Sequence, residues 1–135
     1  MTFYWRWAHF TPVEVFSAVG LREYERGNFL LQPDALDMLE RFRAQLAVPL
    51  VCNGGANTLR GYRAPAENYR AGGQALSRHI QGIAFDLSAP DLDLNTLYEA
   101  ARHFGWGGVG LYLNNGFVHV DKRPVLNDKV ITWMG

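Results

Sequence analysis

The stretch Val109–Asp121, VGLYLNNGFVHVD, decides the fold. Two short runs, Val109 to Leu113 and Phe117 to Asp121, flank Asn114-Asn115-Gly116. Asn and Gly tolerate positive φ, and such a turn between two apolar runs predicts a β-hairpin. Side chains alternate along a strand, so Phe117, His119 and Asp121 share one face while Val118 and Val120 share the other. The valines suit a core. His119 and Asp121 then stand together on the opposite face, ~7 Å apart at the backbone from a rise of ~3.3 Å per residue.

Working outward from the hairpin, Ile83 to Ser88 reads as a strand, with Ile83, Phe85 and Leu87 alternating against Ala84 and Asp86. Leu94, Leu97, Ala101 and Phe104 line one side of a predicted helix. Val130 to Trp133 adds a short final strand. Toward the N-terminus, Thr11-Pro12-Val13-Glu14 opens a helix through a capping box with proline at its first position, and Gly20 is the expected stop. A second helix is predicted from Pro33 to Leu46, broken by Pro49, with a strand following from Leu50 to Asn53. Gly54 to Gly73 is rich in Gly, Asn, Arg and Pro and predicts a loop with a short helix after Pro65. The pattern is α+β: a small antiparallel sheet with helices packed on one side.

Composition limits what such a chain does. It has 135 residues, the length of one domain with one core, and residues 1–135 are read as that domain. Hydrophobic residues make up 48 % and charged residues 19 %, which argues against disorder. The 13 basic and 13 acidic side chains cancel, so the basic excess that releases counterions from phosphates is missing. No nucleic-acid partner is expected. No apolar window approaches the ~20 residues of a membrane span, so no membrane anchor is expected. The opening MTFYWRWAHF lacks the basic head and apolar stretch of a secretory signal, which places the chain in the cytoplasm as encoded. The lone Cys52 lies in an apolar strand and reads as a core residue rather than a nucleophile.

The chemistry is carried by histidine. His79 precedes the strand that holds Asp86, and Gly82 between them permits the close approach that brings imidazole and carboxylate together. One imidazole and one carboxylate are half of a catalytic zinc site, which commonly has three protein ligands and one open position. His119 on the hairpin is the natural third. Asp121 beside it can orient it, polarise water or hold a neighbour. Histidines and aspartates scattered over some forty residues also occur in domains that hold no metal, and spacing by itself leaves both readings open.

Ser77-x-His79-x-x-Gly82-x-Ala84-x-Asp86, followed by Phe117-Val118-His119-Val120-Asp121, resembles the zinc peptidases of the D-alanyl-D-alanine carboxypeptidase group (peptidase M15). That group includes D-Ala-D-Ala dipeptidases, phage L-alanyl-D-glutamate endopeptidases and other murein peptidases, and is similar in fold to the hedgehog signalling domain. Gly61-Tyr62-Arg63-Ala64-Pro65-x-x-Asn68 resembles its arginine-bearing stretch, and Trp7-Ala8-His9-Phe10-Thr11 its compact single-domain branch. The resemblance implies one zinc ion on His79, Asp86 and His119. It also implies that Arg63 reads a substrate carboxylate or carbonyl oxygen, and that Ser77 supports the site by hydrogen bonding. Tyr62, Trp106 and Tyr112 are candidates to line a groove.

One departure stands out. Several relatives carry an acid three residues before the last zinc histidine, as general base, and here that position is Gly116. Asp121 is the remaining candidate base, with a supporting carboxylate as the equal alternative; His9 and His103 are weaker options. The implied activity is metal-assisted hydrolysis of peptidoglycan stem peptides, by a carboxypeptidase or an endopeptidase such as a phage endolysin released to the cell wall during lysis. The alternative is a non-catalytic zinc module that binds peptidoglycan or peptide. The chain is expected to act as a monomer.

Overall fold

The computed structural model describes residues 5–28, 31–52, 83–125, 127 and 129–135. Its elements in order are α1 (Pro12–Val15), α2 (Ala18–Glu25), α3 (Pro33–Leu46), β1 (Val51–Cys52), β2 (Ala84–Ser88), α4 (Leu94–Phe104), β3 (Gly108–Tyr112), β4 (Phe117–Asp121) and β5 (Ile131–Met134). The five strands form one sheet in the order β1-β2-β4-β3-β5. The fold is α+β, as expected. The short helix predicted after Pro65 lies outside the described residues.

The β3–β4 hairpin forms, pairing Val109 with Val120, Gly110 with His119 and Tyr112 with Phe117; Leu113, expected at the strand end, lies in the turn. Its turn closes through Gly116 N donating to Tyr112 O at 2.9 Å, with Gly116 at φ +78°. β2 lies antiparallel along the other edge of β4 and pairs Asp86 with His119.

The sheet is mixed rather than wholly antiparallel, because β5 runs parallel to β3. The cause is the path of the chain after β4. It turns back across the start of β3, where Gly107 N donates to Asp121 O and Ile131 N to Gly107 O. A Cβ on Gly107 would overlap the Arg123 carbonyl, so the missing side chain is what lets the segment pass. β5 therefore begins beside Gly108 and ascends with β3.

The core lies on one face of the sheet. Phe85, Leu87, Val109, Leu111, Val118 and Val120 point there and are buried. α4 covers β3 and β4 with Leu97, Tyr98 and Ala101, and α3 packs behind it. Asp93 caps α4 by accepting from Thr96 N at 2.8 Å. Phe42 of α3 meets Phe104 and Trp106, with centroids 4.9 and 6.0 Å apart. Cys52 is buried, in keeping with its reading as a core residue.

The helix expected from Pro12 to Gly20 is two helices. Glu14 Oε1 accepts from Thr11 N at 3.1 Å, as the capping box requires. Phe16 then turns extended, and Ser17 starts a new helix by accepting from Gly20 N at 3.3 Å. α2 runs through Gly20 to Glu25. Ser17, a better cap than Gly20 is a stop, overrides the glycine. Among the described residues no helix is long and apolar enough to cross a membrane.

Candidate metal centre

Asp86 and His119 are direct cross-strand partners on the sheet face turned away from α4. Both are buried, at 2 % and 8 % exposure. Asp86 Oδ1 lies 3.2 Å from His119 Nδ1. The other ring nitrogen, Nε2, lies 2.8 Å from Asp121 Oδ2. The two-residue alternation along β4 sets His119 beside Asp121, and the β2–β4 register brings Asp86 to the opposite edge of the ring.

Asp121 is fully buried and all its bonding capacity is engaged. Oδ1 accepts from Arg123 Nε at 2.8 Å and Arg123 N at 3.1 Å. Oδ2 accepts from Arg123 Nη2 at 2.7 Å and faces His119. Burial opposes the ionised carboxyl, but the Arg123 guanidinium and the His119 imidazole outweigh it and hold Asp121 well below the usual carboxylate range. An ionised carboxylate only accepts, so Nε2 of His119 carries a proton. Burial also opposes charge on His119. Hydrogen bonds to Asp121 and Asp86 outweigh it and raise its pKa.

The donor set fits a small divalent cation. Zinc held tetrahedrally at 2.0–2.1 Å from nitrogen and oxygen keeps its donor atoms about 3.3 Å apart. The Asp86–His119 separation of 3.2 Å matches that spacing. A cation taking the place of the Nδ1 proton would satisfy both groups, while Nε2–H stays on Asp121 in the manner typical of metal-bound histidines. Among the described residues no group of three or more His, Cys, Asp or Glu side chains is arranged to hold a metal. His79, the third expected ligand, lies outside the described residues, as do Arg63, Ser77 and Tyr62.

The alternative bases stand elsewhere. His103 belongs to the last turn of α4, on the far side of the sheet, and its Nδ1 faces Glu99 O at 2.8 Å. His9 is tied to Glu40 of α3, with Nδ1 2.7 Å from Oε2. Trp106 is fully buried in the core and lines no groove. Gly116 sits at the end of a turn with φ +78°, a backbone region that L side chains rarely adopt. Glycine adopts that conformation without strain.

Two neighbours escaped the sequence reading. Arg123 grips Asp121, and Trp133 of β5 lies against His119 with ring centroids 5.2 Å apart. Asp121-x-Arg123 and Gly108-x-Gly110 are visible signals, but they gain meaning only through the β3–β5 pairing.

Comparison with known proteins identifies the family of the chain. The family model described as peptidase M15 matches residues 8–121. The peptidoglycan L,D-endopeptidase MepK of Escherichia coli K12 is 38 % identical over 58 residues, covering 43 % of this chain and 27 % of the relative. The probable peptidoglycan L,D-endopeptidase MepK of Haemophilus influenzae is 32 % identical over 88 residues, covering 62 % of this chain and 45 % of the relative. The chain thus spans less than half the length of these curated relatives. The matched family model takes in both Asp86 and His119, and the chain belongs to the peptidase M15 family.

Proposed function

We propose that this peptidase is zinc-dependent and cleaves peptide bonds within peptidoglycan stem peptides. The observation that carries the proposal is the pairing of Asp86 with His119 across two buried strands at the spacing a shared zinc ion requires. His79 is the third ligand in this reading, Arg63 is the cation that reads a substrate carboxylate or carbonyl oxygen, and Ser77 and Tyr62 contribute to substrate binding. The relatives' names support an endopeptidase over a carboxypeptidase.

Bound zinc would supply a Lewis acid for the scissile carbonyl and lower the pKa of a bound water toward ~7. The protein's own residues prepare that chemistry. Asp86 and His119 present one oxygen and one nitrogen from rigid strands. Asp121 fixes the ring through Nε2 and acts as a positioning carboxylate. With its oxygens occupied by Arg123 and His119, it is a poor proton acceptor for substrate chemistry. Arg63 offers a planar fork of donors suited to a carboxylate or a developing oxyanion.

Digestion of purified muropeptides followed by mass spectrometry tests the proposal. Cleavage that stops with a chelator and returns with zinc supports it, and the products identify the bond. Gly116 at the position of the relatives' acid favours a second reading, a zinc module that binds wall peptide without cleaving it. Zinc uptake and muropeptide binding with no product at any enzyme concentration would establish that reading instead.

A further inference from the structure

We infer that Arg123 and Trp133 are positioning residues that clamp the His119 ring so that Nδ1 faces Asp86. The inference deepens the zinc reading and rests on it for its purpose, though not for its geometry.

The clamp acts on the edge and the face of the ring. At the edge, Nε2 meets Asp121 at 2.8 Å, and Asp121 is held by the two-pronged Arg123 guanidinium at 2.8 and 2.7 Å. At the face, the Trp133 indole lies 5.2 Å from the imidazole at 51°. Trp133 is itself anchored, because its Nε1 donates to Tyr112 Oη at 2.7 Å. The Arg123 guanidinium closes the circle, 5.2 Å from the Trp133 ring. Each member therefore touches two others.

The sheet is cleared to admit this arrangement. Gly110 lies between His119 on β4 and Trp133 on β5. A Cβ on Gly110 would come within 2.4 Å of Trp133 Cε2 and Nε1. A Cβ on Gly108 would come within 2.6 Å of Arg123 Nε and Asp121 Oδ2. Two glycines at alternate positions of β3 let the indole and the ion pair lie flat on the strand, where they reach the histidine. An imidazole free to turn about its Cβ–Cγ bond can present either nitrogen. One held by a carboxylate at Nε2 and an indole on its face presents Nδ1 alone.

The test uses the whole chain with Arg123→Ala, Arg123→Lys, Trp133→Leu and Trp133→Phe. Two readouts apply: hydrogen exchange of the His119 Nε2–H by NMR in chelator-treated protein, and the zinc Kd by chelator competition. The wild type should show a slowly exchanging Nε2–H. Arg123→Ala and Trp133→Leu should speed its exchange and weaken zinc about ten- to a hundredfold. Trp133→Phe, which keeps an aromatic face, should recover most of both. Exchange and zinc Kd at wild-type values in Arg123→Ala and Trp133→Leu would overturn the clamp. Should either variant fail to fold, Arg123→Lys decides: it keeps the charge but loses the fork, so faster exchange supports the clamp and wild-type exchange refutes it. A wild-type chain that takes up no zinc refutes the metal reading alone, and the exchange comparison still judges the clamp.

Discussion

The two faces of the sheet are made by the same strands and do opposite work. Toward α4, β2, β3 and β4 present Phe85, Leu87, Val109, Leu111, Val118 and Val120, all buried and apolar. One residue away on each strand, the other face presents Asp86, Gly108, Gly110, His119 and Asp121. It too is buried at Asp86, His119 and Asp121, but its interactions are ionic and directional. A period of two lets one strand meet the demands of packing and of chemistry without conflict. A core face tolerates any side chain of the right volume. The polar face requires particular atoms at particular distances, because a buried charge without its partner is costly.

Breaking the inner face should produce the largest effect on stability. Val118→Asp places an unpaired carboxylate between Leu87 and Leu111, its buried partners on the two neighbouring strands, and should cost more than about 4 kcal/mol, enough to unfold the chain by circular dichroism. Asp86→Ala on the outer face should separate function from fold. It should lower kcat/KM on muropeptides at least about a thousandfold, some 4 kcal/mol of transition-state stabilisation, and cost less folding stability than Val118→Asp, because His119 keeps Asp121 as a partner. Equal losses of both would blur the contrast between the faces.

Between the two faces, acidity and alkalinity should act on the outer one. The folded-state pKa of Asp121 is depressed, so its contribution to stability is present above its unfolded value of about 3.9 and is lost as pH falls through the folded one. The folded-state pKa of His119 is raised, so its contribution is complete below about 6.5 and fades as pH rises through the folded value. Chelator-treated protein should therefore lose stability toward both extremes in urea titrations. Zinc affinity should instead rise with pH across the His119 range, as Nδ1 gives up its proton. The smallest effect belongs to the turn between the strands. Gly116→Ala should cost about 1–2 kcal/mol through its positive φ alone, since no atom lies within 4 Å of an added Cβ, and should leave activity unchanged.

Much of the polar face was legible in the sequence. Alternation in FVHVD separates His119 and Asp121 from the valines, and Asn-Asn-Gly sets the turn. The opposition of Asp86 and His119 could be expected because both lie mid-strand in neighbouring elements. What stayed hidden depends on long-range pairing. Trp133 reads as the end of a short apolar strand until β5 is seen to run parallel to β3 and lay the indole over Gly110. Arg123 reads as loop until the crossing at Gly107 brings it back onto Asp121. The break at Ser17 has a local cause: the Ser17 cap starts a new helix, and Gly20, inside that helix, does not stop it.

The central claim is that Asp86 and His119 share one ion. Anomalous diffraction at the zinc edge, on crystals grown with zinc, tests it most directly. One strong peak per chain is expected, 2.0–2.2 Å from an Asp86 oxygen and from His119 Nδ1, with Nε2 still on Asp121. A peak bound to Nε2, or none near either side chain in zinc-loaded protein, would contradict it.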